Sequence, residues 1–218
     1  MEKTLEQEIK KMEKHVKTSF CLWDNFDWTL ISDYEYLSQS FIEKFNDKLD
    51  WSSIVTVQKL SKSLMRKFKD RVDWDRASMY QDISESLIRK FRHRVNWDSI
   101  SEYQKLSENF IREFKDRVNW ERISSCQRLS EDFIREFKDR VDWGLISMRK
   151  NLSESFIREF QNYVDWFLIP KYQTLSEGFI IEFKGKIDLK YLLRENIITQ
   201  EFIDDSYKPI DRFELMDM

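Results

Sequence analysis

Apolar and polar positions along this 218-residue chain recur with a period of 23. Tryptophan marks the period at Trp28, Trp51, Trp74, Trp97, Trp120, Trp143 and Trp166. Asp or Asn precedes each one, from Asp27 and Asp50 to Asp165. A serine column runs from Ser38 through Ser107 to Ser176, and a phenylalanine column from Phe45 through Phe114 to Phe183, both unbroken. A fixed period of this size signals a repeat architecture. Asp, Asn and Ser favour the N-cap, where they accept hydrogen bonds from unpaired helix N–H groups. Two capping columns per period therefore predict two helices. In residues 96–118, Asn96 caps a first helix over about 97–105 and Ser107 a second over about 108–117. The first places Trp97, Ile100 and Tyr103 along one side. The second places Phe110, Ile111, Phe114 and Val118 on one face, a 3.6-residue pattern. Leu106 and Ile111 flank Ser107 as a hydrophobic staple would.

Helices this short are marginal alone in water. Each repeat needs neighbours, and stacking supplies them. The pattern predicts an all-α fold, an α–α solenoid of seven two-helix repeats over 27–187. A degenerate eighth repeat and an acidic tail follow over 188–218, and residues 1–26 supply a capping helix and lead-in. On that N-terminal helix, Leu5, Ile9, Met12 and Val16 form the apolar stripe. In the eighth repeat, Asp188, Leu192, Ile198 and Thr199 keep the frame, although Leu189 replaces the tryptophan. Pro170 stands inside the first helix of repeat seven, where it removes a hydrogen bond and predicts a shortened or kinked element. Glu108–Arg112, Arg112–Asp116 and Glu113–Arg117 are spaced for ion pairs along the second helix, which reads as a solvated charged face.

Composition narrows the function classes. Three glycines and two prolines suit capped, tight turns, and the net charge of −3 argues against a generally basic nucleic-acid binder. Cys21 and Cys126 lie far apart in the array and read as reduced, partly buried thiols, which suits an intracellular, cytoplasmic protein. The charged, polar start MEKTLEQEIKKMEK carries no signal-peptide pattern, and no apolar run approaches a membrane span. His15 and His93 have no spaced Cys or His partner that would suggest zinc. There is no phosphate-cradling glycine loop and no nucleophile elbow. The expectation is a noncatalytic protein with no cofactor and no metal.

Charge is uneven. Between Lys59 and Val95, eleven basic residues face five acidic ones. Lys67 and Lys90 replace the glutamate found at Glu113, Glu136 and Glu159. The candidate binding residues are Lys59, Arg66, Lys67, Lys69, Arg89, Lys90, Arg92 and Arg94, a basic patch suited to an acidic protein surface or a phosphate backbone. Several columns outside the apolar set vary freely, one of them running Tyr36, Lys59, Asp82, Lys105, Arg128, Asn151 and Thr174. Such columns are where a repeat array encodes its ligand.

The unit Trp-x-x-Ile-Ser-x-Tyr-Gln-x-Leu-Ser-Glu-x-Phe-Ile-Arg-Glu-Phe-Lys-Asp-Arg-Val-Asn, read from Trp97 to Asn119, resembles repeats of poorly characterised proteins of giant DNA viruses and some phages. The resemblance covers about residues 27–205. It implies a viral protein acting inside a host cell and supplies no catalytic or binding residues. The leading expectation is a protein–protein interaction scaffold that grips a partner on its curved face. Nucleic-acid binding through the basic patch is the alternative, and a structural, self-assembling element the third.

Overall fold

The computed structural model describes residues 28–33 and 36–206, together with Gln7 and Lys10. The remainder of the expected capping helix and lead-in over 1–26, with His15 and Cys21, and the tail from 207 lie outside the described residues. The chain forms two compact units, residues 1–127 and 128–218. The first holds α1 (Trp28–Ser32), α2 (Gln39–Lys44), α3 (Trp51–Val57), α4 (Lys62–Lys67), α5 (Trp74–Tyr80), α6 (Glu85–Lys90), α7 (Trp97–Tyr103), α8 (Glu108–Glu113) and α9 (Trp120–Cys126). The second holds α10 (Glu131–Glu136), α11 (Trp143–Ser147), α12 (Glu154–Glu159), α13 (Ile169–Tyr172), α14 (Glu177–Glu182), α15 (Leu189–Arg194) and α16 (Gln200–Ser206). All regular structure among the described residues is helical, two helices to a repeat, as an α–α solenoid requires.

Both capping columns act as the pattern demands. Asn96 accepts from the Ser99 N–H and Ser107 from the Phe110 N–H, and Asp50 and Ser153 cap their helices in the same way, whereas the Ser84 side chain makes no cap bond. The helices end earlier than the apolar pattern predicts. α7 stops at Tyr103, because Gln104 turns to extended backbone (φ −92°, ψ 144°). α8 stops at Glu113, because Phe114 kinks the chain (φ −113°, ψ 27°). One separate turn follows, closed by the Arg117 and Val118 N–H groups on the Phe114 carbonyl at 2.8 and 3.1 Å.

In the first unit, the first helices of successive repeats pack in sequence, α1 on α3, α3 on α5, α5 on α7 and α7 on α9. The innermost side chains are one column of Phe41, Leu64, Leu87 and Phe110 and the adjacent column of Ile42, Met65, Ile88 and Ile111, all at most 1 % exposed. Ile54, Ala77, Ile100 and Ile123 close the core from the first helices. Trp51 and Trp74 are buried, whereas Trp97 and Trp120 are only half-buried. Within residues 51–114 each indole packs over the phenylalanine at the end of its repeat, with Trp97 and Phe114 centroids 4.9 Å apart. Its N–H donates to the carbonyl five residues back, as Trp97 does to Arg92 at 3.1 Å.

Two polar columns lock the repeats together. The Ser101 hydroxyl donates to the Trp97 carbonyl at 2.7 Å and accepts from the Asn119 N–H of the next repeat at 3.0 Å. Ser32, Ser78 and Ser147 bridge in the same way. Buried Gln104 reaches back into the previous repeat. Its Oε1 accepts from the Ile83 N–H at 2.9 Å, and its Nε2 donates to the Ser78 and Gln81 carbonyls, both at 2.9 Å. Gln58, Gln81 and Gln127 are buried at equivalent positions, and the Oε1 of each accepts from the preceding repeat. At ~100° per residue, Gln104 falls between Trp97 and Ile100 on the helix wheel and Ser101 about 40° beyond Trp97, so both belong to the inner face. Tyr103 falls at its edge and is exposed, a correction to its expected place in the apolar stripe.

The irregular repeats show the same forces by their failures. Lys150 stands in the glutamine column of repeat six. There α11 ends at Ser147, and Asn151 takes a left-handed φ of 73°, which Asn tolerates better than most residues. In repeat seven, α13 is four residues long with Pro170 in its first turn, the shortening that a missing N–H predicts. Repeat eight keeps the frame. Asp188 accepts from the Tyr191 N–H, Leu192 and Ile198 are buried, and Thr199 Oγ1 accepts from the Phe202 N–H.

Candidate functional site

On the second helices, an ion-pair ladder runs from repeat to repeat. Arg89 of α6 meets Glu113 of α8 at 2.7 Å. In the second unit, Arg135 meets Glu159 and Arg158 meets Glu182, each at 2.7 Å. Glu113 therefore pairs with the previous repeat rather than with Arg117, because the kink at Phe114 ends the helix that would have aligned them. Arg117 reaches the Arg92 carbonyl instead, at 3.2 Å. At the first junction the charges are exchanged, with Glu43 in the arginine column and Lys67 in the glutamate column, 2.9 Å apart.

This ladder sorts the basic patch. Lys67 is held by Glu43, Arg89 by Glu113 and Glu85, and Arg94 by Asp70 at 2.7 Å. Lys69 lies 3.9 Å from Asp70, and the Arg92 guanidinium donates to the Arg89 carbonyl at 3.3 Å. The Arg94 guanidinium beside Asp70 holds its carboxyl below the usual range, ahead of the opposing effect of burial. Lys59, Arg66 and Lys90 are exposed and make no ion pair among the described residues. The patch is thus partly neutralised within the molecule.

A second surface feature is apolar. The last residues of α3, α5, α7 and α9 are Val57, Tyr80, Tyr103 and Cys126, and all four are exposed, the tyrosines by 55 % and 51 %. Cys126 is therefore not the partly buried thiol its column suggests. Met79 is exposed beside Tyr80. The stripe is partly fixed in place. Glu102 hydrogen-bonds the Tyr103 hydroxyl and is itself paired with Arg122 at 3.3 Å. Hydrogen bonding to Glu102, and then its charge, push the Tyr103 phenol above its ordinary value. A groove of about 520 Å³ opens where the stripe meets the turns of repeats one and two, lined by Tyr36, Gln39, Val57, Lys59 and Ser61 among others.

The glutamate that opens the second helix joins repeats as well. Glu85 accepts from the Ser107 N–H at 2.7 Å, Glu131 from Ser153 at 2.7 Å and Glu154 from Ser176 at 2.6 Å. The Ser176 N–H, followed by the Ser176 hydroxyl and Arg158, holds the Glu154 carboxyl below its ordinary range against partial burial. A depressed folded-state value contributes stability that is present above the unfolded value and lost as pH falls through the folded one. The Glu154→Gln protein should therefore lose less stability than wild type as pH falls below about 4.3, the ordinary glutamate value. Urea midpoints measured from pH 6 to pH 3 check this. Parallel acid limbs would remove Glu154 from the linkage.

Among the described residues, no cluster of His, Cys, Asp and Glu is placed to hold a metal, and His93 is exposed. No described helix is long and apolar enough to cross a membrane. Comparison of the chain with protein families, with curated proteins and with solved structures finds no match. Its class rests on the fold itself, an all-helical array of 23-residue repeats.

Proposed function

We propose that this chain is a noncatalytic binding array that takes a protein partner on the stripe formed by Val57, Tyr80 and Tyr103. The observation that carries the reading is the exposure of these side chains at one position of the first helices of three successive repeats, in a fold that otherwise buries its large apolar columns. Tyrosine is enriched among the residues that dominate protein interfaces, since it offers apolar area, a hydrogen-bonding tip and few rotors. The Tyr103–Glu102–Arg122 chain adds to this, because a side chain already held in place loses less freedom on binding. The internal neutralisation of Lys67, Arg89 and Arg94 favours a protein over a nucleic-acid backbone. An intracellular location fits the exposed thiol of Cys126, and the resemblance to giant-virus and phage repeats makes the partner a host protein.

Photo-crosslinking tests this. A photoreactive residue at position 57, in cells expressing the protein, should label one partner saturably. Labelling should fall about tenfold in the Tyr80→Ser, Tyr103→Ser protein, the size of a 1.4 kcal/mol contact, while helical circular dichroism stays unchanged. Labelling that survives both substitutions, or that joins the chain only to itself, would overturn the reading, and the second result would favour self-assembly.

A further inference from the structure

The ladder of the second helices fails at one junction within the first unit, and it fails completely. Arg89, Arg135 and Arg158 each hold a pair of glutamates, and Arg135 also holds Asp132 at 2.7 Å. One glutamate lies four residues earlier on the same helix (Glu85, Glu131 and Glu154, at 3.6, 3.8 and 3.5 Å) and one on the next repeat at 2.7 Å. The equivalent of these arginines in repeat two is Arg66, and lysine occupies both acid positions around it. Lys62 stands four residues earlier and Lys90 on the next repeat. All three are exposed and make no ion pair among the described residues. Lysine has no acceptor, so Lys62 cannot do for the Ser84 N–H what Glu85 does for that of Ser107. The register that brings Arg89 to 2.7 Å from Glu113 here sets two cations against each other.

We propose that the Lys62–Arg66–Lys90 junction binds a carboxylate-bearing segment of the partner protein, an assignment that rests on the protein-binding reading above and names the chemistry of that partner. Charge complementarity carries it. At each equivalent place a glutamate carboxylate lies against the arginine, so the backbone already presents Arg66 in a geometry that accepts one. The surroundings choose the occupant. Glu43 neutralises Lys67, Glu85 and Glu113 neutralise Arg89, and Asp70 neutralises Arg94, so a nucleic-acid backbone leaving the junction would run beside acids. A short acidic peptide needs only the three free cations. The site also adjoins the apolar stripe. The groove of repeats one and two runs from Tyr36 and Val57 to Gln39 and Ser61, and one repeat later those columns hold Lys59, Tyr80, Lys62 and Ser84. A segment with acidic residues next to apolar ones would engage both.

The Lys62→Glu, Lys90→Glu protein tests the assignment, because it rebuilds the arrangement that surrounds Arg89. Its melting temperature should equal or exceed that of wild type. The probes are a fluorescein-labelled peptide with two adjacent glutamates flanked by leucines, its glutamine counterpart and labelled oligo-dT, followed by anisotropy. The glutamate peptide should bind wild type about tenfold more tightly than the glutamine peptide does, and the double substitution should remove that difference. Arg66→Gln, which creates no new pair, should do the same. No binding of the glutamate peptide, or equal binding to wild type and to the double variant, would overturn the assignment. Preferred binding of oligo-dT that is lost in the double variant would overturn it in favour of a nucleic acid. If cross-linking at position 57 stays dependent on Tyr80 and Tyr103 while the peptide result is negative, this proposal alone falls.

Discussion

Replacing Gln104 with leucine is expected to destabilise the array more than any surface change, by about 3–6 kcal/mol. The side chain is 5 % exposed and satisfies three main-chain groups of the preceding repeat, the Ile83 N–H and the Ser78 and Gln81 carbonyls. Leucine fills similar space but pairs with none of them, and each buried group left unpaired costs roughly 1–3 kcal/mol. For a chain of this size the loss corresponds to a fall in melting temperature of the order of 10 °C. Glutamate should be no better, because it can accept from Ile83 but would face two carbonyls. The chain contains a related natural substitution at Lys150, where α11 stops early and the turn takes a left-handed residue. Urea and thermal denaturation of Gln104→Leu, followed by circular dichroism, check the prediction. A shift under 1 kcal/mol would mean that the column does not join the repeats.

Phe110→Ala should cost about 3–5 kcal/mol, the usual range for deleting a buried ring. Phe110 is fully buried, 4.7 Å from the Phe114 ring, and the Arg89 guanidinium lies 4.9 Å from its centroid. Trp97→Ala should cost less, although tryptophan is the larger residue and marks the repeat. Its indole is half-buried, and its chief attachments are the Phe114 face and one hydrogen bond to the Arg92 carbonyl. Phe110→Leu should cost under about 1.5 kcal/mol as a conservative apolar exchange, since Leu64 and Leu87 already fill that column. A larger loss for Trp97→Ala than for Phe110→Ala would reverse the assignment of the core.

The contrast between these residues shows how far the pattern could be read. Trp97, Ile100, Phe110 and Ile111 were legible because apolar spacing reports the inner face directly. Ser101 and Gln104 share that face but look like surface residues. Their polarity is hidden by hydrogen bonds to neighbouring repeats, which no rule acting on one helix supplies. Tyr103 erred the other way, read as core from its aromatic character and left outside by its angle on the wheel. The basic segment was legible as a count of charges. Which of those charges remain unpaired was not, because Lys67 meets Glu43 and Arg89 meets Glu113 only once consecutive repeats are in register.

The sequence by itself determined the period, the two helices per repeat and, outside the first helix of repeat seven, where each begins, because an N-cap depends only on one side chain and the nearest N–H groups. It also determined that the short helices must stack. The tertiary structure decided where the helices end, which polar residues are buried, and which exposed residues are available to a partner. Those outcomes depend on what the neighbouring repeat places opposite each side chain. The Gln104 amide, the Arg89–Glu113 pair and the unpaired Arg66 all owe their state to a residue about one period away along the chain.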